Sequence, residues 1–379
     1  MIKNSVLCLS LVFIFGLQSA TADAAIQSSS IRPVMKSLGE VLADLFPVMM
    51  SDASEPLPAE TLQQVMQLKV LFAQVKPHFE KKSLTYKVSY STMEKNLSSI
   101  EQLVRDGVSS RVKQRLRGVA ATCASCHQHS QKKRQLLFTK KPTLSSPMAM
   151  AEFHFITRDY AVAKAQYEAL VKSSSVSNAV VQQSLSRLLM IYAHYDISPK
   201  AAIQFLQGLL VYPHLNNMTK QKIKLWVSSF ERWEKTTLDS ASIEQLEKVV
   251  TALFGENNAS IGAFFTDESK RVEVLQLRNR LEAILNENAH VDAIPKIILW
   301  LSYCERALDE EGQSYMADLY LKECMTRFSG TDWAVQCFRE FRSSIKFGYT
   351  GSGGTHIPEA VQDELEYFQG QAFQLKSSR

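Results

Sequence analysis

Residues 110–130 read SRVKQRLRGVAATCASCHQHS, and this stretch decides how the rest of the chain is interpreted. It is predicted to form a helix, the fourth of the chain. Near its end, residues 123–127 read CASCH, which is a C-x-x-C-H pattern. The pattern indicates the chemistry of the protein, and the helices around it indicate the fold.

C-x-x-C-H is the attachment pattern of c-type haem. The thiols of Cys123 and Cys126 would add to the two vinyl groups, and His127 would bind the iron on the proximal side. A thioredoxin-like dithiol is one alternative, but it needs a βαβ context. Zinc bound with the help of His129 is another, although no second Cys or His pair follows at a useful spacing. A plain disulfide is the third. We expect one covalent haem c.

The segment 27–135 is predicted to contain four helices, at about 31–50, 59–82, 91–104 and 110–130. Pro77 should kink or end the second helix early. Because short links join the helices, neighbours should be antiparallel, which predicts a four-helix bundle. The apolar positions expected to face its core are Ile31, Met35, Leu38, Leu42, Leu45, Met49, Leu62, Val65, Leu68, Leu71, Phe72, Val75, Met93, Leu97, Ile100 and Leu103.

A bundle of this size with C-x-x-C-H on its last helix resembles the cytochrome c-prime family. The resemblance implies that Cys123 and Cys126 are the thioether cysteines and that His127 is the proximal ligand. Residues 32–39, RPVMKSLG, resemble the segment that holds the distal methionine in low-spin members, and Met35 stands at that position.

If Met35 binds the iron, the His/Met pair suits electron transfer. If it is only a core residue, the open distal face could bind NO or CO. His78 and His129 are weaker distal candidates, and both are expected at the surface.

Composition is that of a globular, largely helical protein. The chain has 379 residues, 45% hydrophobic and 21% charged, with 14 glycines and 11 prolines. These values disfavour a disordered chain and an integral membrane protein, and the few helix breakers disfavour an all-β fold. We expect an all-α protein without enzymatic activity, because no catalytic arrangement stands out. Isolated acids such as Asp196 and Glu305 are expected to be solvated.

The N-terminus predicts export. Lys3 precedes an apolar run at 6–17, and Ala22-Asp23-Ala24 forms an A-x-A cleavage site. Residues 1–24 should therefore be a bacterial-type signal peptide, which agrees with haem attachment after export to the periplasm. No later segment reaches 18 apolar residues, so the mature protein is expected to be soluble, and nucleic acid is not an expected partner.

Charge is unevenly distributed. Residues 105–141 hold ten Lys or Arg and one acid, Asp106. Such a run is either a solvated helix face or a docking patch for an acidic partner or an anionic membrane. A redox partner with an acidic surface is expected, and a homodimer is possible because similar bundles commonly form dimers.

The second half reads as a linker at 136–148 followed by helical repeats at 149–345. Ala163 and Tyr167 have the spacing of a tetratricopeptide helix pair. Similar intervals recur at two further places: Ala201, Phe205, Gly208 and Pro213, and then Ala317, Leu321 and Cys324. A tetratricopeptide-like α-solenoid would bind a protein partner, which leaves an adaptor with a structural haem as a further functional class. An irregular helical bundle and a spacer role are the alternatives.

Three cysteines fall on successive predicted helices of this half: Cys304, Cys324 and Cys337. In an oxidising compartment Cys324–Cys337 is the first choice for a disulfide, the alternative being three buried small residues. The remaining 346–379 are predicted to be a flexible Gly-rich joint and a short helix from Pro358 to about Phe368.

Overall fold

A computed structural model of the chain describes residues 31–51, 54–79, 84–128, 144, 146–157, 159–255, 268–287, 291–308 and 315–374. Within these residues sixteen α-helices make up nearly all of the regular structure, and four residues lie in strands. The expected all-α class is confirmed. The segments 1–24 and 129–143, which include the predicted signal peptide and most of the predicted linker, lie outside the described residues.

The first five helices come from the segment with the C-x-x-C-H pattern. They are α1 (Arg32–Met50), α2 (Thr61–Ala73), the single turn α3 (Lys76–Phe79), α4 (Leu84–Arg105) and α5 (Ser109–Gln128). In space α1 contacts α2, α2 contacts α4, α4 contacts α5, and α5 contacts α1 again. The four long helices therefore surround a common core.

The end of α2 follows from Pro77. A proline ring clashes with the carbonyl group four residues earlier and leaves it without an N–H donor. That earlier residue is Ala73, where α2 ends, and Pro77 itself lies in the first turn of α3. The expected early end is confirmed. By contrast, α4 begins at Leu84, seven residues before the predicted start.

The predicted core positions of α1 are largely correct. Leu38, Leu42, Leu45 and Met49 are buried, while Ile31 and Met35 are half-buried against the same core. In α2, in α4 and in the turn between α2 and α3 the buried members of the predicted set are Val65, Leu68, Val75, Met93, Leu97 and Ile100.

Helices continue through the second half. They are α6 (Pro147–Ile156), α7 (Tyr160–Lys172), α8 (Asn178–Met190), α9 (Pro199–Leu209), α10 (Asn217–Lys235), α11 (Ile243–Phe254), α12 (Arg271–Glu287), α13 (Ile294–Leu308), α14 (Tyr315–Arg327), α15 (Asp332–Gly348) and α16 (Glu359–Phe373). A π-helical turn (Ile191–Tyr195) extends α8, and a 3₁₀ turn (Val291–Ala293) precedes α13. Consecutive helices contact each other at α6–α7, α9–α10, α12–α13, α13–α14 and α14–α15.

One predicted repeat is displaced by a residue. Ala163 and Tyr167 are fully buried, as expected. In α9, however, the buried residue is Ala202, while Ala201 and Phe205 are half-buried against the same core, and the Phe205 ring lies 5.2 Å from the Lys172 ammonium group. Three buried sets then share intervals of four and three residues: Ala163, Tyr167 and Leu170; Ala202, Leu206 and Leu209; Ala317, Leu321 and Cys324.

The hydrophobic core forms two clusters. The first extends from Leu38 to Trp233, with two residues of α12, and the second from Leu246 to Ala372. Helices α1–α5 therefore share a core with α6–α10, and the Phe46 and Phe153 rings meet edge to face at 5.1 Å. The domain boundary predicted at 136–148 stays a prediction. Helix α4 also contacts α12 and α14.

The Gly-rich stretch after α15 was expected to be a flexible joint, and its flexibility stays a prediction. It forms a hairpin of β1 (Thr350–Gly351) and β2 (Gly354–Thr355), in which Gly354 has a φ of 104°. Helix α16 then starts after Pro358, extends beyond the predicted end, and packs on α14 and α15.

None of the helices that the structure describes combines the length and the apolar character needed to cross a membrane.

Candidate functional site

The C-x-x-C-H pattern lies on the last turns of α5. Residues 112, 116, 119 and 120 of this helix are almost fully buried, and at this spacing the next position of the stripe is Cys123. Cys123 is half-buried and packs on the first core cluster. The backbone of Cys126 and His127 is helical, while their side chains lie outside the described set. His129 lies outside it entirely.

Two hydrogen bonds define how α1 and α5 are aligned. Arg117 Nε donates to the Met49 carbonyl oxygen at 2.8 Å, and Lys113 Nζ donates to that of Glu55 at 2.8 Å. Residue 117 pairs with residue 49, and the earlier residue 113 pairs with the later residue 55. The chain direction of α5 is therefore opposite to that of α1. The start of α1 and the end of α5 therefore lie at the same end of the pair.

Helical geometry then relates Met35 to position 127. At about 1.5 Å of rise per residue, position 127 is about 15 Å from Arg117 along the axis, and Met35 about 21 Å from Met49. The two positions thus differ by about 6 Å in height. Met35 is also half-buried against the shared core. The structure brings the distal candidate to the end of the molecule that carries the pattern.

Aromatic rings cover the core at the same end. Phe72 stacks on Tyr90 at 4.8 Å between ring centroids, and Phe79 lies 5.6 Å from Tyr90. Arg115 donates to Asn96 Oδ1 at 3.4 Å, and this contact between antiparallel helices places Tyr90 level with about residue 121 of α5. The sequence prediction missed Phe79 and Tyr90, because the first lies beyond Pro77 and the second precedes the expected start of its helix.

These residues fit a covalently held macrocycle. The chain supplies thiols three positions apart, an imidazole at the next position, a thioether at the same end, and apolar and aromatic neighbours. Haem is a large, mainly apolar ring, and such groups are held by surroundings of this kind.

The other candidate ligands are His78 on the distal side and the residues of the zinc alternative. His78 is exposed on α3, as predicted. Among the residues that the structure describes, no group of three His, Cys, Asp or Glu is placed to hold a metal ion. Of the residues named for the zinc alternative, Cys123 is described, and the side chains of Cys126, His127 and His129 lie outside the described set.

Two cations of the basic run 105–141, Lys113 and Arg117, make internal contacts and belong to neither a solvated face nor a docking patch. Lys113 is 1% exposed and, like Arg117, donates to a carbonyl group of the α1 side. Arg105 is bonded to Glu101 at 2.8 Å, and Arg111 is exposed. Within the described part of the run, the cations mainly hold helices together. The other five, at 132–141, lie outside the described residues.

A buried carboxylate joins the next helices beside this site. Glu152 of α6 accepts bonds from Arg187 at 2.9 and 3.0 Å and from the Tyr167 hydroxyl at 2.7 Å. Burial opposes its ionisation, but the charge and hydrogen bonds of Arg187 hold the pKa of Glu152 below its ordinary value. The arrangement stabilises the junction between α6, α7 and α8.

A second charged cluster shows that Glu305 is not the solvated acid that was expected. Arg278 Nε donates to Glu305 at 2.7 Å and its Nη2 lies 3.1 Å from Glu282. Burial alone would lower the pKa of Arg278, but the two carboxylates raise it well above its ordinary value. Asp196 is more exposed and pairs with Lys164 at 2.8 Å. These contacts are ion pairs within the fold.

The predicted pairing of Cys324 with Cys337 is confirmed. Their sulfur atoms are 2.11 Å apart, and the bridge joins α14 to α15. Cys304 is fully buried on α13, and burial raises the pKa of its thiol well above the ordinary value. A buried, protonated thiol is a poor nucleophile.

In comparisons with known proteins, no family model, curated protein or solved structure matches this chain. The resemblance to cytochrome c-prime therefore stays a prediction.

Proposed function

We propose that this chain is an exported c-type cytochrome of the cytochrome c-prime type that transfers electrons in the periplasm. Cys123 and Cys126 would hold one haem c, with His127 as the proximal ligand and Met35 as the distal ligand. The helical region after residue 147 would be a tetratricopeptide-like unit that docks a protein partner.

The observation that carries the proposal is the alignment of α1 with α5. Met35 lies near the start of α1, and the C-x-x-C-H pattern lies near the end of α5, so both are at the same end of the four long helices. These helices contact one another in the order α1, α2, α4, α5 and again α1. Motif and methionine are 88 residues apart or more in the sequence, and the antiparallel arrangement of α1 and α5 brings them to the same end. The short links and the shared core support a four-helix bundle.

When bound, haem supplies a one-electron couple. The chain's own residues would fix the group and control access to it. Two thioethers prevent its loss, and Met35 would occupy the distal side in both oxidation states, so that little rearranges when the charge changes. The aromatic residues Phe72, Phe79 and Tyr90 would exclude water from this end of the core.

The disulfide supports the exported location. Disulfides persist in oxidising compartments and are rare in the reducing cytosol. Cys324–Cys337 lies within the second core cluster, where both cysteines are fully buried. The repeated intervals of buried residues in α7, α9 and α14 support the tetratricopeptide-like interpretation.

Covalent attachment is tested with Cys123→Ser/Cys126→Ser, expressed in a bacterial host that attaches haem. The wild type should retain its visible absorption after denaturation and solvent extraction of haem, and the double variant should lose it. Cys304→Ala is the control, because this thiol lies in the other core cluster, and it should retain haem. A double variant that keeps extraction-resistant haem would contradict the proposal.

The distal ligand is tested with Met35→Ala. The wild type should have a low-spin reduced spectrum that CO does not change, and the variant should bind CO because a coordination position opens. Met66→Ala is a matched control, since Met66 is 43% exposed in the first half of α2, where its sulfur atom lies 3.8 Å from Arg105 at the end of α4. Rapid CO binding by the wild type would favour a gas-binding protein over electron transfer.

A further inference from the structure

The end of α1–α5 that carries the pattern has a higher positive charge than the opposite end, within the described residues. We define the motif tip by four short segments: 31–38 of α1, 74–79 around α3, 84–90 of α4 and 122–128 of α5. The described residues of these segments include no Asp or Glu. Their cations are Arg32, Lys36, Lys76 and Lys87.

Three of these cations face solvent. Arg32, Lys36 and Lys76 are exposed on α1 and α3, and Lys36 makes a long contact of 3.8 Å with Glu40 of its own helix. On α1 acids begin one or two turns further along, with Glu40 and Asp44, while Glu80, which follows the segment 74–79, lies outside the described residues. The motif tip therefore presents a surface of one sign next to the candidate redox site.

The opposite end of the same four helices has mixed charge. Glu55, Glu60 and Asp106 lie there together with Arg105 and Arg111. The positive charge is thus concentrated at one end and not spread over the whole unit. Such an asymmetry orients an approaching charged partner and raises the rate of productive encounter.

We infer that the motif tip is the docking surface for a soluble redox protein with an acidic surface, which binds end-on over Arg32, Lys36 and Lys76. This rests on the proposed function, and it locates the partner that would exchange electrons there. The long basic run, by contrast, contributes through Lys113 and Arg117 mainly to internal contacts.

An acidic protein fits better than a membrane. Interfacial membrane binding combines cations with inserted aromatic or aliphatic side chains. In 31–38 and 74–79 no large hydrophobic residue is exposed. A contact made by charge alone is weak, steered and salt-sensitive, which suits a transient exchange between redox proteins.

The test uses the reduced full-length haem protein and two small oxidants of opposite charge. In each reaction one electron passes from the protein to the oxidant, which turns ferricyanide into ferrocyanide or a tris-phenanthroline cobalt(III) complex into its cobalt(II) form. Added salt should slow the reaction of anionic ferricyanide and speed that of the cationic cobalt complex, because the surface at the redox site is positive.

Arg32→Glu/Lys36→Glu/Lys76→Glu should reverse both salt effects and slow ferricyanide at low ionic strength on the order of tenfold. The matched control, Lys200→Glu/Lys224→Glu/Lys235→Glu, changes net charge equally on exposed lysines of α9 and α10. It should leave both rates within about twofold. Equal effects of the two triple variants would overturn the inference.

Two further measurements identify the partner. A blue-copper protein with an acidic surface, used as the probe, should lose its salt-sensitive exchange with the first triple variant only. Cosedimentation with phosphatidylglycerol vesicles at about 0.15 M salt should be negligible, and strong binding there would replace the protein partner by a membrane. A colourless protein that reacts with neither oxidant contradicts the proposed function itself, whereas a coloured protein with salt-independent rates contradicts only this inference.

Discussion

The carboxylate of Glu152 accepts three hydrogen bonds in the interior of the protein. Glu152 is 3% exposed, yet its carboxylate is fully used by Arg187 and the Tyr167 hydroxyl. A buried charge is tolerated only where partners replace the lost water. The contacts tie α6 to both α7 and α8.

Glu152→Gln should lower the free energy of unfolding by about 2–3 kcal/mol, because it leaves the Arg187 charge without its carboxylate. Urea unfolding at pH 7 measures this. Glu231→Gln, on an exposed position of α10, is the control and should change stability by less than about 0.5 kcal/mol.

The same pair gives a pH dependence. The pKa of Glu152 is lowered in the folded chain, so its stabilisation is present above the ordinary value of 4.5 and is lost as pH falls through the lowered value. The stability difference between wild type and Glu152→Gln should therefore narrow below about pH 4. A difference that widens on acidification would contradict the described ion pair.

At this scale the sequence predicted the apolar contacts better than the polar ones. Burial of Ala163 and Tyr167 followed from local helical spacing. The partner of Glu152 is 35 residues away in sequence, and Glu305 meets Arg278 from a different helix. Neither pairing leaves a local signal, which is why Glu305 was expected in solvent.

At the scale of elements, the end of α2 was predicted because a single residue, Pro77, dictates it. Gly107 ends α4, although the sequence prediction did not use it. Gly107 has a φ of 72°, and N–H groups 107 and 108 donate to the carbonyl groups of Val104 and Leu103. This is the Schellman arrangement, which favours glycine.

Two glycine substitutions separate backbone strain from packing. An added Cβ meets nothing within 4 Å at Gly107 or at Gly118. Gly107→Ala should therefore destabilise the protein by about 1 kcal/mol through its left-handed conformation alone. Gly118→Ala, inside α5, should stabilise it by about 0.5–1 kcal/mol. Equal shifts of both urea midpoints would contradict the assigned backbone.

Elements without such a signal were predicted less well. The hairpin at 350–355 involves only four paired residues, too few for an alternating pattern. The register of α9 depends on which neighbour Phe205 meets, namely Lys172 and the Tyr192 ring. These are tertiary preferences, which override local spacing.

For the whole molecule, the shared core joins the helices on either side of the predicted linker. Phe46 of α1 is fully buried with Phe153 of α6 as a ring partner. Apart from Val272 and Leu275 of α12, which belong to the first core cluster, the chain passes from the first cluster to the second between Trp233 and Leu246. The cooperative unit is therefore expected to include α6–α10 together with α1–α5.

Fragments test this expectation. Residues 25–235 should unfold cooperatively with a higher urea midpoint than residues 25–141, because burying a ring such as Phe46 contributes about 1.5–3 kcal/mol. Circular dichroism at 222 nm follows both transitions. A shorter fragment of equal or higher midpoint would show that α1–α5 are independent, as the linker at 136–148 predicts.

The most direct test of the proposed function is the intact mass of the mature full-length protein, purified from a bacterial host that attaches c-type haem. The proposal predicts the mass of the chain after Ala24 plus one haem, in a coloured protein whose Cys123 and Cys126 do not react with iodoacetamide after unfolding. A colourless protein with the mass of the bare chain, and with both cysteines reactive or bridged to each other, would contradict it.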